Sequence, residues 1–134
     1  MKVIALIGLA VLCAGCNLLP GSTSPTTPTT TTETFSGTLS AQTSSFYAFT
    51  VAAAGTVSIT LTTLSPTATV PVGLGIGTPS GTTSCTLSSF TSSAVAGSTP
   101  QITVTENPGT YCAQIYDVGN ITTPSTFSIT IVPP

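Results

Sequence analysis

The chain has 134 residues and a formal net charge of −2, with 40% hydrophobic residues, only 3% charged residues, no His and no Trp. Soluble cytoplasmic domains carry far more charge, so this composition argues against an ordinary cytoplasmic enzyme. A single basic side chain also argues against nucleic acid as a partner, because phosphate backbones are held mainly by clustered Lys and Arg. The length accommodates one folded core and no second one.

The amino-terminal residues 1–15 have the organisation of an export signal. Lys2 precedes the apolar run 3–12, and small residues follow immediately before Cys16. This order is typical of a signal peptide. As a helix, the apolar run would span about 15 Å, half of the hydrocarbon core of a bilayer, so it is too short for a permanent transmembrane helix.

The end of this signal, LCAGC at 12–16, resembles the bacterial lipobox. The resemblance implies that Cys16 receives a diacylglycerol and becomes the first residue after cleavage, which would anchor the protein to a membrane. The chain departs from the usual pattern at Cys13, where the lipobox normally has Leu. Asn17 follows the modified residue, and the resemblance then implies sorting to the outer membrane in a Gram-negative host. The alternative is an ordinary secretory signal with Cys16 left free.

Residues 16–33 form the next segment, which is rich in Ser, Thr and Pro and almost without apolar side chains after Leu19. Such a composition cannot bury enough surface to offset the entropy of an ordered chain. Pro favours extended conformations, so we expect a spacer of up to about 45 Å between the membrane and a folded domain. Its composition also suits O-glycosylation.

From residue 34 onward the pattern is that of β-strands, because apolar residues recur at every second position between clusters of Gly, Pro, Ser and Asn. We predict about eight short strands in one domain over 34–134. Their approximate spans are 34–39, 45–51, 56–64, 70–77, 84–88, 101–106, 110–118 and 126–132. Turns are predicted at Ala54-Gly55, Pro79-Ser80-Gly81, Asn107-Pro108-Gly109 and Gly119-Asn120.

The alternation also predicts which side chains face the core. They are Tyr47, Phe49, Val51, Val57, Ile59, Leu61, Val70, Val72, Leu74, Ile76, Ile102, Val104, Tyr111, Ala113, Ile115, Phe127, Ile129 and Ile131. Strands of this length and spacing, each with one apolar face, are the signature of an antiparallel β-sandwich of jelly-roll type. We therefore predict an all-β fold with no helix outside the signal.

Several of these segments together resemble the bacterial pre-peptidase C-terminal domain, over about residues 34–132. The resemblance rests on Gly37-Thr38-Leu39, Tyr47-Ala48-Phe49-Thr50-Val51, Gly55-Thr56-Val57, Pro79-Ser80-Gly81 and Gly109-Thr110-Tyr111. It implies a jelly-roll β-sandwich appended to secreted peptidases and other surface proteins. Where that family often has acidic residues before the Pro-x-Gly turn, this chain has Gly73 and Gly75, so no calcium site is expected there.

Two cysteines, Cys85 and Cys112, lie on predicted strands of the domain, 27 positions apart. In an exported protein such a pair is expected to form a disulfide. A redox or nucleophilic role is less favoured, because the chain has no His to lower a thiol pKa and the cysteines lack Cys-x-x-Cys spacing.

The inventory of side chains restricts catalysis. Without His, catalytic triads are excluded. The one pair of carboxylates for glycoside hydrolysis is Glu106 with Asp117, yet at about 3.4 Å per strand residue these would lie more than about 20 Å apart, and the chemistry needs about 5 to 10 Å. Both are interpreted as solvated turn residues. We expect no metal site, because ligands are lacking, and no cofactor.

The remaining candidate site is for recognition. Gln114 and Tyr116 face away from the core on one predicted strand, and Asp117 and Asn120 follow at its end. An aromatic ring beside amides and a carboxylate could stack on a sugar and bond to its hydroxyls. The alternative is structural, with Tyr116 covering a sheet edge or the disulfide and Asn120 adopting a turn conformation.

Two functions remain open for the chain. The first is a non-catalytic, membrane-anchored surface lipoprotein that presents a structural or interaction module to an envelope protein or glycan. The second is a carbohydrate-binding accessory module. Either would be located in the cell envelope.

Overall fold

The computed structural model describes residues 31–134, whose regular secondary structure consists entirely of β-strands. The strands are β1 (Glu33–Leu39), β2 (Ser44–Val51), β3 (Gly55–Ser65), β4 (Val72–Ser80), β5 (Ser84–Ala94), β6 (Ile102–Glu106), β7 (Gly109–Tyr116) and β8 (Ser125–Val132). Within these residues no helix is long and apolar enough to cross a membrane.

The strands form two four-stranded antiparallel sheets. The first sheet has the order β1-β8-β3-β6 and the second has the order β2-β7-β4-β5. Strand pairs are nested along the chain, since β1 pairs with β8, β2 with β7, β3 with β6 and β4 with β5. Two four-stranded sheets with this nesting are a jelly roll. The predicted all-β sandwich is therefore confirmed.

The core lies between the two sheets and is filled by alternate residues of each strand. Every side chain predicted to face inward is either buried or packed against the buried cluster. Burying a single Leu, Ile, Val or Phe side chain contributes about 1.5 to 3 kcal/mol, which makes this apolar layer the main stabilising element. The core also includes residues that the alternation did not identify, namely Phe35, Leu39, Leu64, Ala94, Ala96 and Ile121.

The structure corrects the predicted bounds of two strands. Pro79 and Ser80, predicted as a turn, belong to β4, and the turn instead occupies residues 81–83. Pro79 is tolerated because pairing between β4 and β7 ends at Gly77, so β4 has a partner on one side only at this point. The predicted end of β5 at residue 88 is also wrong, because this edge strand continues to Ala94. Its polar residues hide the alternation of a half-buried strand.

The two sheets present different chemistry on their outer faces. The outer face of the first sheet, here called the hydroxyl face, carries Ser and Thr on all four of its strands. Its members are Thr34, Ser36, Thr38, Thr56, Ser58, Thr60, Thr103, Thr105, Thr126, Ser128 and Thr130. The outer face of the second sheet, here called the aromatic face, carries Phe46, Leu87, Phe90, Gln114, Tyr116 and the Cys85–Cys112 disulfide. The sandwich therefore has one hydroxyl-rich side and one aromatic side.

Candidate functional site

The aromatic face carries side chains that neither fill the core between the sheets nor take part in strand pairing. The strands that form it, β2, β7, β4 and β5, contain no Asp, Glu, Lys, Arg or His. Phe90 is 63% exposed there, the highest value among the exposed large apolar side chains of residues 31–134. Phe46 lies directly across from Gln114 in the β2–β7 pairing. The face is thus apolar, aromatic and uncharged.

Two glycines of β4 allow side chains to lie across the sheet. Tyr116 is the register partner of Gly73, and its ring occupies the place where a β-carbon on Gly73 would project. A β-carbon on Gly75 would likewise lie 2.9 Å from Phe90 Cβ and 3.0 Å from Leu87 Cδ1. The side chains of the neighbouring strands therefore cover β4, and they rest on its backbone rather than on its side chains.

Gly77 has a different role, because it admits the backbone of a neighbouring strand. The carbonyl oxygen of Thr86 lies where a β-carbon on Gly77 would project, and Leu87 Cα would lie only 2.7 Å from that carbon. The β4–β5 register also shifts between Ile76 and Gly77. At this point β5 therefore lies over the outer face of β4.

This displacement of β5 explains the disulfide. Cys85 is on β5 and Cys112 is on β7, and these two strands lie on opposite sides of β4. Strands separated by one intervening strand are about 9 to 10 Å apart, beyond the reach of a disulfide. Because β5 lies over β4 at Gly77, the Cα atoms of the two cysteines are 6.0 Å apart and the bond forms. The predicted Cys85–Cys112 pair is confirmed, and it crosses over β4.

The polar groups of Tyr116 and Gln114 are not used by the fold. Within residues 31–134, neither the Tyr116 hydroxyl nor the Gln114 amide makes a hydrogen bond. In contrast, the hydroxyl of Tyr47 donates to the Ser36 carbonyl at 3.1 Å and that of Tyr111 donates to the Asn107 carbonyl at 2.8 Å. The fold therefore uses the other two tyrosine hydroxyls and leaves that of Tyr116 available to a ligand.

Gln101 provides a comparison with Gln114, because the fold uses both polar atoms of the Gln101 side-chain amide. Its Oε1 accepts from the Leu61 amide at 2.7 Å, and its Nε2 donates to the Val95 carbonyl at 2.7 Å. The side chain continues the hydrogen bonding of the first sheet beyond the β3–β6 pairing, which ends at Ile59 and Ile102. Gln114, half-buried on the aromatic face, has no such partner in the described part of the chain.

Asp117 lies in the solvent-accessible loop after β7, where its carboxylate also has a structural role. Its Oδ2 accepts from the Gln42 amide at 2.9 Å, and its Oδ1 accepts from the amides of Gly119, Asn120 and Ile121 at 2.9 to 3.0 Å. These four backbone hydrogen bonds, that of Gln42 first, hold the pKa of the Asp117 carboxyl below its usual value. The carboxylate therefore ties the β1–β2 turn to the β7–β8 loop.

Asn120 is also engaged by the fold. Its Nδ2 donates to the Pro71 carbonyl at 3.0 Å, which joins the β7–β8 loop to the start of β4. The left-handed turn residue of this loop is Gly119, with a φ of +95°. Of the four residues predicted to form a ligand site, the structure therefore leaves the side chains of Gln114 and Tyr116 available and places those of Asp117 and Asn120 in loop contacts.

The three carboxylate side chains of residues 31–134 lie at the ends of different strands. Glu33 begins β1, Glu106 ends β6 and Asp117 follows β7. In this part of the chain, no three His, Cys, Asp or Glu side chains come together in a way that could hold a metal ion. The predicted signal peptide 1–15, the predicted lipidation site Cys16 and most of the predicted tether 16–33 lie outside the described residues.

Phe46, Leu87 and Phe90 are the members of the aromatic face that the sequence did not identify. A signal for them does exist in the sequence, because Gly73, Gly75 and Gly77 alternate with the buried Val72, Leu74 and Ile76. Three outward positions without side chains indicate that something else covers that strand. The sequence alone does not reveal which residues supply the cover.

A scan against protein-family models finds no match for this chain, and neither does a search of curated proteins.

Proposed function

We propose that this protein is a non-catalytic, membrane-anchored lipoprotein whose jelly-roll domain binds an envelope component through its aromatic face. The observation that carries the proposal is an outer sheet face that joins the exposed Phe90 to the half-buried Phe46 and Tyr116, with unused polar groups and no charge. Exposed apolar surface on a monomeric domain commonly marks an interaction site. The uncharged strands are suited to a partner that is itself uncharged at the point of contact.

The anchoring part of the proposal rests on the sequence. An export signal that ends in LCAGC at 12–16 supplies Cys16 as the acylation site, and the segment that follows supplies a spacer. The bacterial envelope, and the outer membrane of a Gram-negative host, is the corresponding location. The jelly-roll strand order is also the fold that the resemblance to the pre-peptidase C-terminal domain implied.

The non-catalytic part rests on the residues available. The chain has no His, which excludes the common general bases and nucleophile partners built on imidazole. Asp117, the carboxylate nearest to the aromatic face along the chain, already accepts four backbone hydrogen bonds. We therefore assign the aromatic face to binding alone.

Anchoring is tested by metabolic labelling with a fatty-acid probe. The wild-type protein should incorporate the label, and a Cys16→Ser variant should not. Label that persists in Cys16→Ser would place the lipid elsewhere and contradict the assignment. A Cys13→Ser variant is the matched control, since it alters a cysteine of the same signal and leaves the acylated position in place.

Binding is tested separately from anchoring with the exported, unlipidated Cys16→Ser protein and isolated, delipidated cell envelopes. We expect saturable co-sedimentation, and we expect Phe90→Ser together with Phe46→Ser to reduce it at least about tenfold. Thr38→Ala with Thr130→Ala, on the hydroxyl face, is the matched control and should leave binding unchanged. Absence of co-sedimentation, or equal binding by the Phe46 and Phe90 variants, would contradict the proposed function.

A further inference from the structure

We propose that the ligand of the aromatic face is an uncharged glycan chain, stacked on Tyr116 and hydrogen-bonded by Gln114. This inference rests on the proposed function and names its ligand class. Three features carry it: the placement of the Tyr116 ring on Gly73, the unused polar groups beside that ring, and the absence of charge on the four strands.

The Tyr116 ring has the placement of a stacking platform. Because Gly73 has no side chain, the ring lies across the β4 backbone instead of standing away from the sheet. One side of the ring is covered by the strand, and the residue as a whole remains half-exposed. A ring supported by its own sheet and half-exposed to solvent offers an apolar surface at little cost in side-chain entropy, since its rotamer is already restricted. The C–H faces of pyranose rings match such a surface.

The polar groups beside the ring match the hydroxyls of a sugar. Gln114 precedes Tyr116 by two positions on the same face of β7, so their Cα atoms are about 7 Å apart. Its amide offers both donors and an acceptor, and the Tyr116 hydroxyl offers one donor and acceptor more. Within the described residues these groups have no hydrogen-bond partner. A glycan can occupy all of them with its hydroxyls and ring oxygen.

The lack of charge on the aromatic face favours a neutral glycan over other ligands. An anionic glycan or phosphate would require a basic group, and residues 31–134 contain no Lys, Arg or His. Protein hot spots typically place an aromatic or Arg side chain in a closed pocket of the partner. Tyr116 instead lies flat on its own sheet, and Phe46 and Phe90 extend the surface to either side on β2 and β5. The resulting open, neutral strip is suited to an extended uncharged chain.

The co-sedimentation assay with the unlipidated Cys16→Ser protein tests this ligand class. Binding should persist after the delipidated envelopes are digested with protease, and periodate oxidation of their sugars should abolish it. In solution, at least one of a set of neutral oligosaccharides (cellohexaose, chitohexaose, xylohexaose and maltohexaose) should bind in calorimetry. Tyr116→Ala and Gln114→Ala should each weaken that binding at least about tenfold.

Gly73→Ala is the more specific variant, because it keeps both ligand-binding side chains and displaces only the ring. The added β-carbon would occupy the place of the Tyr116 ring, whose far end can rotate away, so the domain should fold and affinity should fall about tenfold. Thr130→Ala on the hydroxyl face serves as the control with unchanged affinity. Circular dichroism melting of each variant verifies that loss of binding is not loss of folding.

Two outcomes would overturn the inference, and they separate it from the proposed function. If protease treatment abolishes co-sedimentation while periodate does not, the partner is a protein; the aromatic face then remains an interaction surface and the glycan assignment fails. If a neutral oligosaccharide binds equally to wild type and Tyr116→Ala, the platform is not where sugars bind. Loss of all envelope binding would instead contradict the proposed function itself.

Discussion

Asp117 shows how much structure a single carboxylate can organise in a chain that has almost no charge. Its two oxygens accept hydrogen bonds from backbone amides of the β1–β2 turn and the β7–β8 loop. One of these amides belongs to Gln42, which has a φ of +58°, a left-handed conformation that is unfavourable for a residue with a side chain. The hydrogen bond to Asp117 is part of what holds Gln42 in that conformation.

We predict that Asp117→Ala lowers the free energy of unfolding by about 1 kcal/mol, the value typical of losing a side-chain cap on backbone amides. A value of about 1 kcal/mol rather than the upper limit of about 2 kcal/mol applies, because water can reach the loop and replace part of the interaction. Chemical denaturation of wild type and variant measures the difference. Ser36→Ala, which removes an exposed hydroxyl on the hydroxyl face, is the control; equal stability of wild type and Asp117→Ala would show that the four hydrogen bonds contribute nothing net.

The same carboxylate gives the domain an acid-sensitive contribution. The folded-state pKa of Asp117 lies below its ordinary value of 3.8, so its stabilisation is fully present above that value and is lost as pH falls below about 4. Wild-type stability should therefore decline between about pH 4 and pH 2 more steeply than that of Asp117→Asn, which cannot titrate. Parallel decline of both proteins would show that Asp117 is not the source of the acid sensitivity.

At the level of elements, the unusual feature is that β5 lies over β4 instead of simply continuing the sheet. Gly77 makes room for the β5 backbone, and the disulfide between Cys85 and Cys112 then crosses β4. The two features depend on each other, because the cysteines reach bonding distance only where the strands are displaced. β4 is thereby held between the core on one side and a covalent link on the other.

Gly77→Ala should be far more damaging than Gly73→Ala, although both replace glycine with alanine on the same face of β4. The β-carbon at Gly77 would meet the backbone of Thr86, which has no rotamer to escape into, so overpacking should cost about 1 to 3 kcal/mol. Formation of the Cys85–Cys112 bond should also slow in oxidative refolding. Thiol alkylation followed by mass spectrometry measures the free cysteines, and equal behaviour of the two variants would contradict the displaced-strand description.

Removing the disulfide should destabilise the domain without changing its fold. A closed loop with a sequence separation of 27 corresponds to about 3.5 kcal/mol in the loop-entropy description. We expect Cys85→Ala with Cys112→Ala to lose about 2 to 4 kcal/mol in denaturant unfolding. The reduced wild-type protein should behave like the double variant, and it supplies the control for side-chain replacement. A loss below about 0.5 kcal/mol would indicate that the bond adds little to the sandwich.

The sequence predicted best the strands in which apolar and polar residues alternate strictly. In β3 and β8 the buried residues Ile59, Leu61, Ile129 and Ile131 alternate with Ser and Thr, so their strands and faces follow directly. β5 lacks that alternation, and its length and displacement depend on Gly77 of another strand. One of the four hydrogen bonds of Asp117 comes from an amide 75 residues away, at Gln42. Relationships of this kind are set by tertiary structure and leave no local pattern.

At the scale of the whole molecule, the domain separates its two outer surfaces by chemistry. The hydroxyl face interacts with water through its Ser and Thr side chains. Thr is also β-branched and therefore favours β-strands. These hydroxyl groups take the place of the charged side chains that cover the surface of most domains. The aromatic face, on the opposite side of the sandwich, carries Phe90, the most exposed large apolar side chain of residues 31–134. This division would allow one sheet to face solvent while the other faces the ligand that we propose.

We predict that the stability of the whole domain is nearly independent of pH and salt around neutrality. The chain has no His, and burial raises the pKa of Tyr47 above its ordinary value of 10.0, so this tyrosine stays neutral. The stabilising contribution of that shift is present below pH 10 and is lost only as pH rises beyond it. Residues 31–134 contain no basic side chain to pair with the carboxylates.

The melting temperature should accordingly move by no more than a few degrees between pH 5.5 and 8.5, or between low salt and about 0.5 M sodium chloride. Differential scanning calorimetry of the exported protein measures both series. A change above about 10 °C across this pH range would reveal a carboxylate with a strongly altered environment. The Asp117→Asn variant then identifies whether that group is Asp117.

The nested strand order also determines when this protein can finish folding. Among the described strand pairs, only β4–β5 joins strands that are consecutive in the chain. In contrast, β1 pairs with β8, and Glu33 at the start of β1 lies opposite Ile131 near the end of β8. Such distant pairing is associated with folding times of milliseconds to seconds, because long loops must close before contacts form. A chain exported in an extended state would expose β1 without a partner until β8 had also emerged. If the protein is exported as we propose, the jelly roll would link completion of the sandwich to completion of export, because β1 stays an unpaired edge until its last partner strand is in place.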